Sequence, residues 1–125
     1  MGRILPMVKV KMYGIPNCET VKKARAWLEV HGVEYDFHDY KKQGVDKALL
    51  EAWVREHGWE TVLNRAGMTF RKLDAKLTAG LDARKAVALM IEYPSSIKRP
   101  VVVDGPRTLV GFKPEAYAAA FPGKR

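Results

Sequence analysis

Two strand patterns joined by one helix pattern, all within residues 8–40, fix how this chain can begin to fold. Residues 8–13, VKVKMY, alternate apolar and basic side chains, the period of a half-buried strand. Gly14-Ile15-Pro16-Asn17 reads as a turn. From about Cys18 to His31, the side chains Val21, Ala24, Trp27, Leu28 and His31 recur on one face. Lys22, Lys23, Arg25 and Glu29 lie largely opposite, and Gly32 is placed to stop the helix. VEYDFHDY, residues 33–40, reads as a second strand. A strand–helix–strand order with so short a crossover requires the two strands to run parallel.

The middle of the chain reads as helical. Asp46 can cap KALLEAWVREH, which turns Leu49, Leu50, Trp53 and Val54 inward and ends at Gly58. A short helix is expected over residues 59–65, and residues 67–81 carry no clear period. Asp82 can cap ARKAVALMIEY, which Pro94 terminates. RPVVVDGPRTLVGF reads as two strands around the hairpin signal Asp104-Gly105. KPEAYAAAF reads as a last helix, with Pro114 near its first position and Gly123 beyond its end. Without residues 44–96 the remainder has the plan of an α/β, thioredoxin-like domain: a four-stranded mixed sheet with helices on its faces. The all-helical insertion, about 44–96, precedes the third strand. The domain is expected over residues 7–125, with 1–6 an N-terminal extension.

At 125 residues one core is affordable, and 47% apolar residues argue against disorder. No run approaches the roughly 20 apolar residues of a membrane span, and the N-terminal apolar stretch is too short for a secretory signal. The single cysteine excludes an internal disulfide and fits a reducing cytoplasm. The net charge of +8 favours anionic partners such as oxyanions, nucleic acid or the acidic peptide glutathione, or is a solvated surface with no site. No helix-turn-helix, RNA-binding signature or aromatic–basic strip is present, which argues against nucleic acid.

Cys18 falls at the start of the first helix. Free N–H groups and the positive end of the dipole favour a thiolate there. Thr20 could donate its hydroxyl to the sulfur, and Lys22 and Lys23 add positive potential. The alternative is a packing thiol beneath the turn. A C-x-x-C pair would need cysteine where Val21 stands, and a C-x5-R phosphate loop would need arginine where Ala24 stands. The histidines at 31, 38 and 57 show no paired metal-ligand spacing with Cys18, and no glycine-rich nucleotide loop is present. No metal or nucleotide is therefore expected. Arg99-Pro100 opens the third strand, on the turn that faces the first helix in such a sheet. Arg99 could reach the thiolate or a bound anion through its forked donors, or lie in solvent. Arg65, Arg71, Lys72 and Lys113 are further cations with the same two readings.

YGIPNCETVKKARAWL, FHDYKKQGVD, GWETVLNRAGMTFRKLD and IKRPVVV…LVGFKP together resemble the arsenate reductase/Spx-like family, closest to its YffB branch, from about Met7 to Phe121. The resemblance implies the thioredoxin-like fold with its helical insertion, and a cis peptide bond before Pro100. It implies a single nucleophilic cysteine at Cys18. The family's arsenate reductases hold the oxyanion with three arginines; these positions correspond to Arg65, Arg99 and, with lysine in place of arginine, Lys113. The YffB branch implies a glutathione-dependent thiol–disulfide reductase, with glutathione or another external thiol as co-substrate and glutaredoxin as a further candidate partner. Arsenate reduction proper is one alternative. A Spx-like, non-catalytic regulator of a protein partner is another, although Spx-type proteins usually carry a C-x-x-C that this chain lacks. The expected site is Cys18 and Arg99 for catalysis, with Asn17, Thr20, Arg65, Arg99, Pro100 and Lys113 around substrate or glutathione. A monomer is the expected state.

Overall fold

The computed structural model describes residues 10–123. Strand β1 is Val10–Gly14, helix α1 Glu19–Val30, and strand β2 Asp36–Asp39. A run of helices follows: α2 (Tyr40–Gln43), α3 (Lys47–His57), α4 (Trp59–Val62), α5 (Met68–Arg71) and α6 (Ala75–Thr78). Helix α7 (Ala83–Glu92) and a 3-10 turn (Pro94–Ser96) then lead into strands β3 (Val101–Asp104) and β4 (Arg107–Val110), and helix α8 (Pro114–Ala120) ends the described chain. The strands lie in the order β2-β1-β3-β4, with β1–β2 parallel and both other pairs antiparallel. This mixed sheet, with helices on both faces, is the thioredoxin-like fold.

Cap chemistry sets the helix bounds. Asp46, Asp74 and Asp82 each accept a backbone N–H with a carboxylate oxygen at the starts of α3, α6 and α7. At the end of α1, Gly32 takes φ +71°, which a Cβ would penalise. Its N–H reaches Glu29 O at 3.2 Å, while Val33 N–H reaches Leu28 O at 2.9 Å. This paired closure and the burial of Val33 beside Leu28 form a Schellman motif. It uses up the residues expected to open the second strand, so β2 begins at Asp36 rather than at 33. Residues 67–81 resolve into the single turns α5 and α6. Pro94 opens the 3-10 turn after α7, and the expected extension at 1–6 lies outside the described residues.

The two-residue period of the strands divides the core. Val10, Met12 and Val102 pack on one face with Val21, Ala24 and Leu28 of α1 and with Tyr117 and Phe121 beside α8. Tyr13 and Val101 face the other way, against Leu50 and Trp53 of α3, Val62, and Met90 of α7. Lys11 shares the Tyr13 face but is exposed, because the helical segment covers only the Tyr13 end of the sheet. That segment is joined to the run that precedes β3. Leu63 forms an antiparallel bridge with Ile97; Asn64 N–H donates to Ser96 O and Lys98 N–H donates to Val62 O, both at 2.8 Å. Among the described residues no helix is long and apolar enough to cross a membrane.

The edge strand β4 is closed by α3. Thr108, 7% exposed, donates its hydroxyl to Glu56 Oε1 at 2.7 Å and its backbone N–H to Glu56 Oε2 at 3.3 Å. With that hydroxyl proton committed to Glu56, the same oxygen accepts from His57 Nε2 at 2.6 Å. A carboxylate on an edge amide removes a donor that another strand could use. Thr108→Val should remove the hydroxyl's hydrogen bonds to Glu56 and His57, which solvent reaches, and lower stability by about 1 kcal/mol in urea titration. An unchanged unfolding midpoint would show that the clasp contributes nothing.

Candidate active site

The site is built where the two cores meet. On the sheet side, β1 ends at Gly14, where an added Cβ would lie 3.0 Å from Val21 Cγ2. The missing side chain lets the first turn of α1 close onto the strand. Cys18 follows in extended conformation (φ −146°, ψ 125°) as the N-cap residue, and its carbonyl accepts the N–H of Lys22 at 2.9 Å. The second and third helical residues, Thr20 and Val21, therefore carry N–H groups that have no intrahelical partner. Cys18 makes no side-chain cap hydrogen bond as a thiol; the thiolate is the form those N–H groups favour.

Arg99 comes from the opposite wall. It stands between Lys98, whose N–H is held by Val62, and the cis bond to Pro100. The buried Pro100 accepts Gly111 N–H at 2.8 Å, and Tyr40 Oη donates to Lys98 O at 3.4 Å. The guanidinium gives one Nη1 hydrogen bond, 2.7 Å long, to Ser95 O. Its Nε is buried without a hydrogen-bond partner. The charge bears on Cys18 on one side and on the fully buried Tyr40 on the other.

Opposing effects act on the thiol. Burial is the largest single one and pushes its pKa up. The Val21 N–H, the hydrogen bond and charge of Arg99, and the Thr20 N–H push it down, and together they prevail. The thiol therefore sits below its ordinary value. Burial instead keeps the Tyr40 hydroxyl protonated far into the alkaline range, against the opposing pull of Arg99.

The other expected residues are placed differently. Asn17 is exposed in the turn before Cys18. Thr20 is exposed and acts through its backbone N–H; its hydroxyl, expected to donate to sulfur, makes no hydrogen bond among the described residues. Lys22 pairs with Glu19 at 3.5 Å on the surface. Arg65 is exposed and its guanidinium lies 5.3 Å from the centre of the Trp59 ring. Lys113 is the exposed N-cap residue of α8. Neither Arg65 nor Lys113 forms a hydrogen bond or ion pair with Cys18 or Arg99 among the described residues. Tyr40, Ser95 and Gly14 belong to the supporting frame, although the sequence marked only Gly14, and that as a turn residue.

Rapid alkylation of Cys18 should follow thiolate formation, with an inflection below the ordinary value of about 8.5. Arg99→Ala should move the inflection up, and Arg99→Lys should move it less, since lysine keeps the charge without the fork. Identical profiles for all three proteins would remove Arg99 from the account. Gly14→Ala should also raise the inflection, by pushing the Val21 turn away from the strand. A thiol whose folded pKa lies below its unfolded one adds stability that is complete above the unfolded value. That stability fades as pH falls through the folded value. The stability gap between the native protein and Cys18→Ser should therefore widen as pH rises toward the ordinary thiol value of about 8.5. A gap that narrows over this range would contradict the assigned sign.

The chain is similar to known proteins over nearly its whole length. The model of the ArsC family matches residues 13–120. A solved structure of a protein named YFFB is 62% identical, with a TM-score of 0.87 over 89% of this chain and 97% of its own. A Brucella melitensis protein described as related to arsenate reductase (ArsC) is 48% identical, with a TM-score of 0.71 over 94% of this chain and 98% of its own. The global transcriptional regulator Spx of Streptococcus mutans is 29% identical over 115 residues, 90% of this chain and 83% of its own. The family match over most of the chain and the 62% identity to the YFFB structure place this chain in the ArsC family, with the YffB-type proteins.

Proposed function

We propose that this protein is a glutathione-dependent thiol–disulfide reductase with one nucleophilic cysteine. The observation that carries the reading is the position of Cys18. Its sulfur is half-buried, sits at the start of α1 and is favoured as thiolate by two backbone N–H groups and Arg99. The Cys18 thiolate attacks the glutathione sulfur of a mixed disulfide R–S–S–G. A Cys18–S–S–G bond forms, and RS⁻ leaves and takes a proton from water. A second glutathione thiolate then attacks the glutathione sulfur of that adduct. It releases glutathione disulfide and returns Cys18 as thiolate. Each R–S–S–G consumes one free glutathione and yields RSH and glutathione disulfide, and no second protein thiol is needed.

Arg99 steadies the thiolate and offers its remaining donors to a glutathione carboxylate. Pro100 shapes the wall beside it. Asn17 and the Thr20 N–H border the sulfur, and Arg65 and Lys113 are outlying cations that supply attraction rather than contact. All these groups come from one chain, so a monomer suffices. Glutaredoxin could replace free glutathione in the second step, and the chemistry suits a reducing cytoplasm.

The test is turnover of a small mixed disulfide with glutathione, coupled to glutathione reductase. Activity should fall to the uncatalysed rate in Cys18→Ser and drop at least about tenfold in Arg99→Ala, the scale for one charge-assisted contact. Native turnover equal to that of Cys18→Ser would sink the reading. A regulatory role is the second reading, favoured by the match to Spx over 90% of the chain. It requires the cellular phenotype to survive Cys18→Ser. The arsenate reading has less support, because Arg65 lies over Trp59 and Lys113 lacks the bidentate fork.

A further inference from the structure

Helices α3 and α7 leave a trough of about 610 Å³ between them, apart from the Cys18 site. The buried side chains of Val54 and Val87 form its floor. Ala88 is exposed on the wall, where a solvated helix face would ordinarily carry a long polar side chain, and Ile91 is left 39% exposed at the rim. Lys47, Arg55 and Arg84 surround this apolar strip, against one acid, Glu51. Among the described residues no ion pair uses any of these three cations. Two of them do not serve their own helices. Lys47 opens α3 and Arg84 is the second residue of α7, so both place positive charge at the positive end of a dipole.

The lining positions follow helical spacing on both sides: Lys47, Glu51 and Arg55 on α3, and Arg84, Ala88 and Ile91 on α7. From Lys47 to Arg55 the trough runs about 12 Å along the α3 axis, at 1.5 Å per residue. That matches the apolar face of a short helix carrying anchors at i, i+4 and i+7. We propose that this trough docks an acidic amphipathic helix of a partner protein. Its apolar side chains would lie over Val54, Val87 and Ile91, and its carboxylates would meet Lys47, Arg55 and Arg84. This role is independent of the chemistry proposed for Cys18.

The test uses the full chain and a synthetic helix of about sixteen residues, with leucines at the i, i+4, i+7 spacing and glutamates flanking them. A second peptide replaces every glutamate with lysine. Amide shifts on titration should centre on Val54, Val87 and Ile91 for the acidic peptide only. Binding should weaken at least about tenfold in the double variant Arg55→Glu/Arg84→Glu, a loss on the scale of two reversed surface pairs. Unchanged Cys18 alkylation in that variant, with a native-like spectrum, establishes that it is folded. Equal binding of both peptides, shifts centred elsewhere, or equal affinity in the double variant would each overturn the proposal. So would anionic phospholipid vesicles that bind native protein but not the double variant while the acidic peptide fails to bind, since that pattern marks a lipid-facing surface.

Discussion

Arg99 can act on Cys18 because the backbone beside it is held in place. Lys98 is fixed from the helical side by Val62 and Tyr40, and Pro100 is fixed from the sheet side by Gly111. A guanidinium on a free loop would spend much of its time in water, and its pull on a half-buried sulfur would be weak. Held between these ties, it adds to the Val21 and Thr20 N–H groups, and the sum exceeds the cost of burying a thiolate. The long excursion between β2 and β3 therefore bears directly on the reactivity of a residue near the start of the chain.

The two halves of the site belong to different cores. Cys18 packs against the cluster formed by α1 and α8, whereas Tyr40 and Ile97, which flank Arg99, belong to the cluster under α3 and α7. Damage to either cluster should therefore reach the thiol through a different wall. Gly14 matters for the same reason: it lies at the end of the strand that both clusters share.

Much of the fold was legible because its signals are local. Asp46 and Asp82 cap the helices they were expected to cap, Gly32 and Gly58 end them, and Asp104-Gly105 leads the hairpin turn. The length of β2 was not legible, since the Schellman closure at Gly32 and Val33 takes residues that look strand-like. Residues 67–81 carry no period because α5 and α6 are single turns, too short to show one. Within the site, Cys18 and Arg99 were found from a helix start and a strand entrance. Thr20 was assigned its hydroxyl when its backbone does the work. The distances of Arg65 and Lys113 from the sulfur depend on tertiary packing, which no local spacing encodes, and Tyr40 carried no signal beyond being aromatic.

A helix start that stabilises an anion acts on departure as well as attack. In any disulfide that Cys18 forms, its sulfur is the better leaving group, because the Val21 and Thr20 N–H groups and Arg99 wait to receive the negative charge. An incoming thiol that attacks the other sulfur expels Cys18 readily. The adduct is thereby made short-lived, and a protein with one thiol is spared from becoming trapped in its own oxidised form.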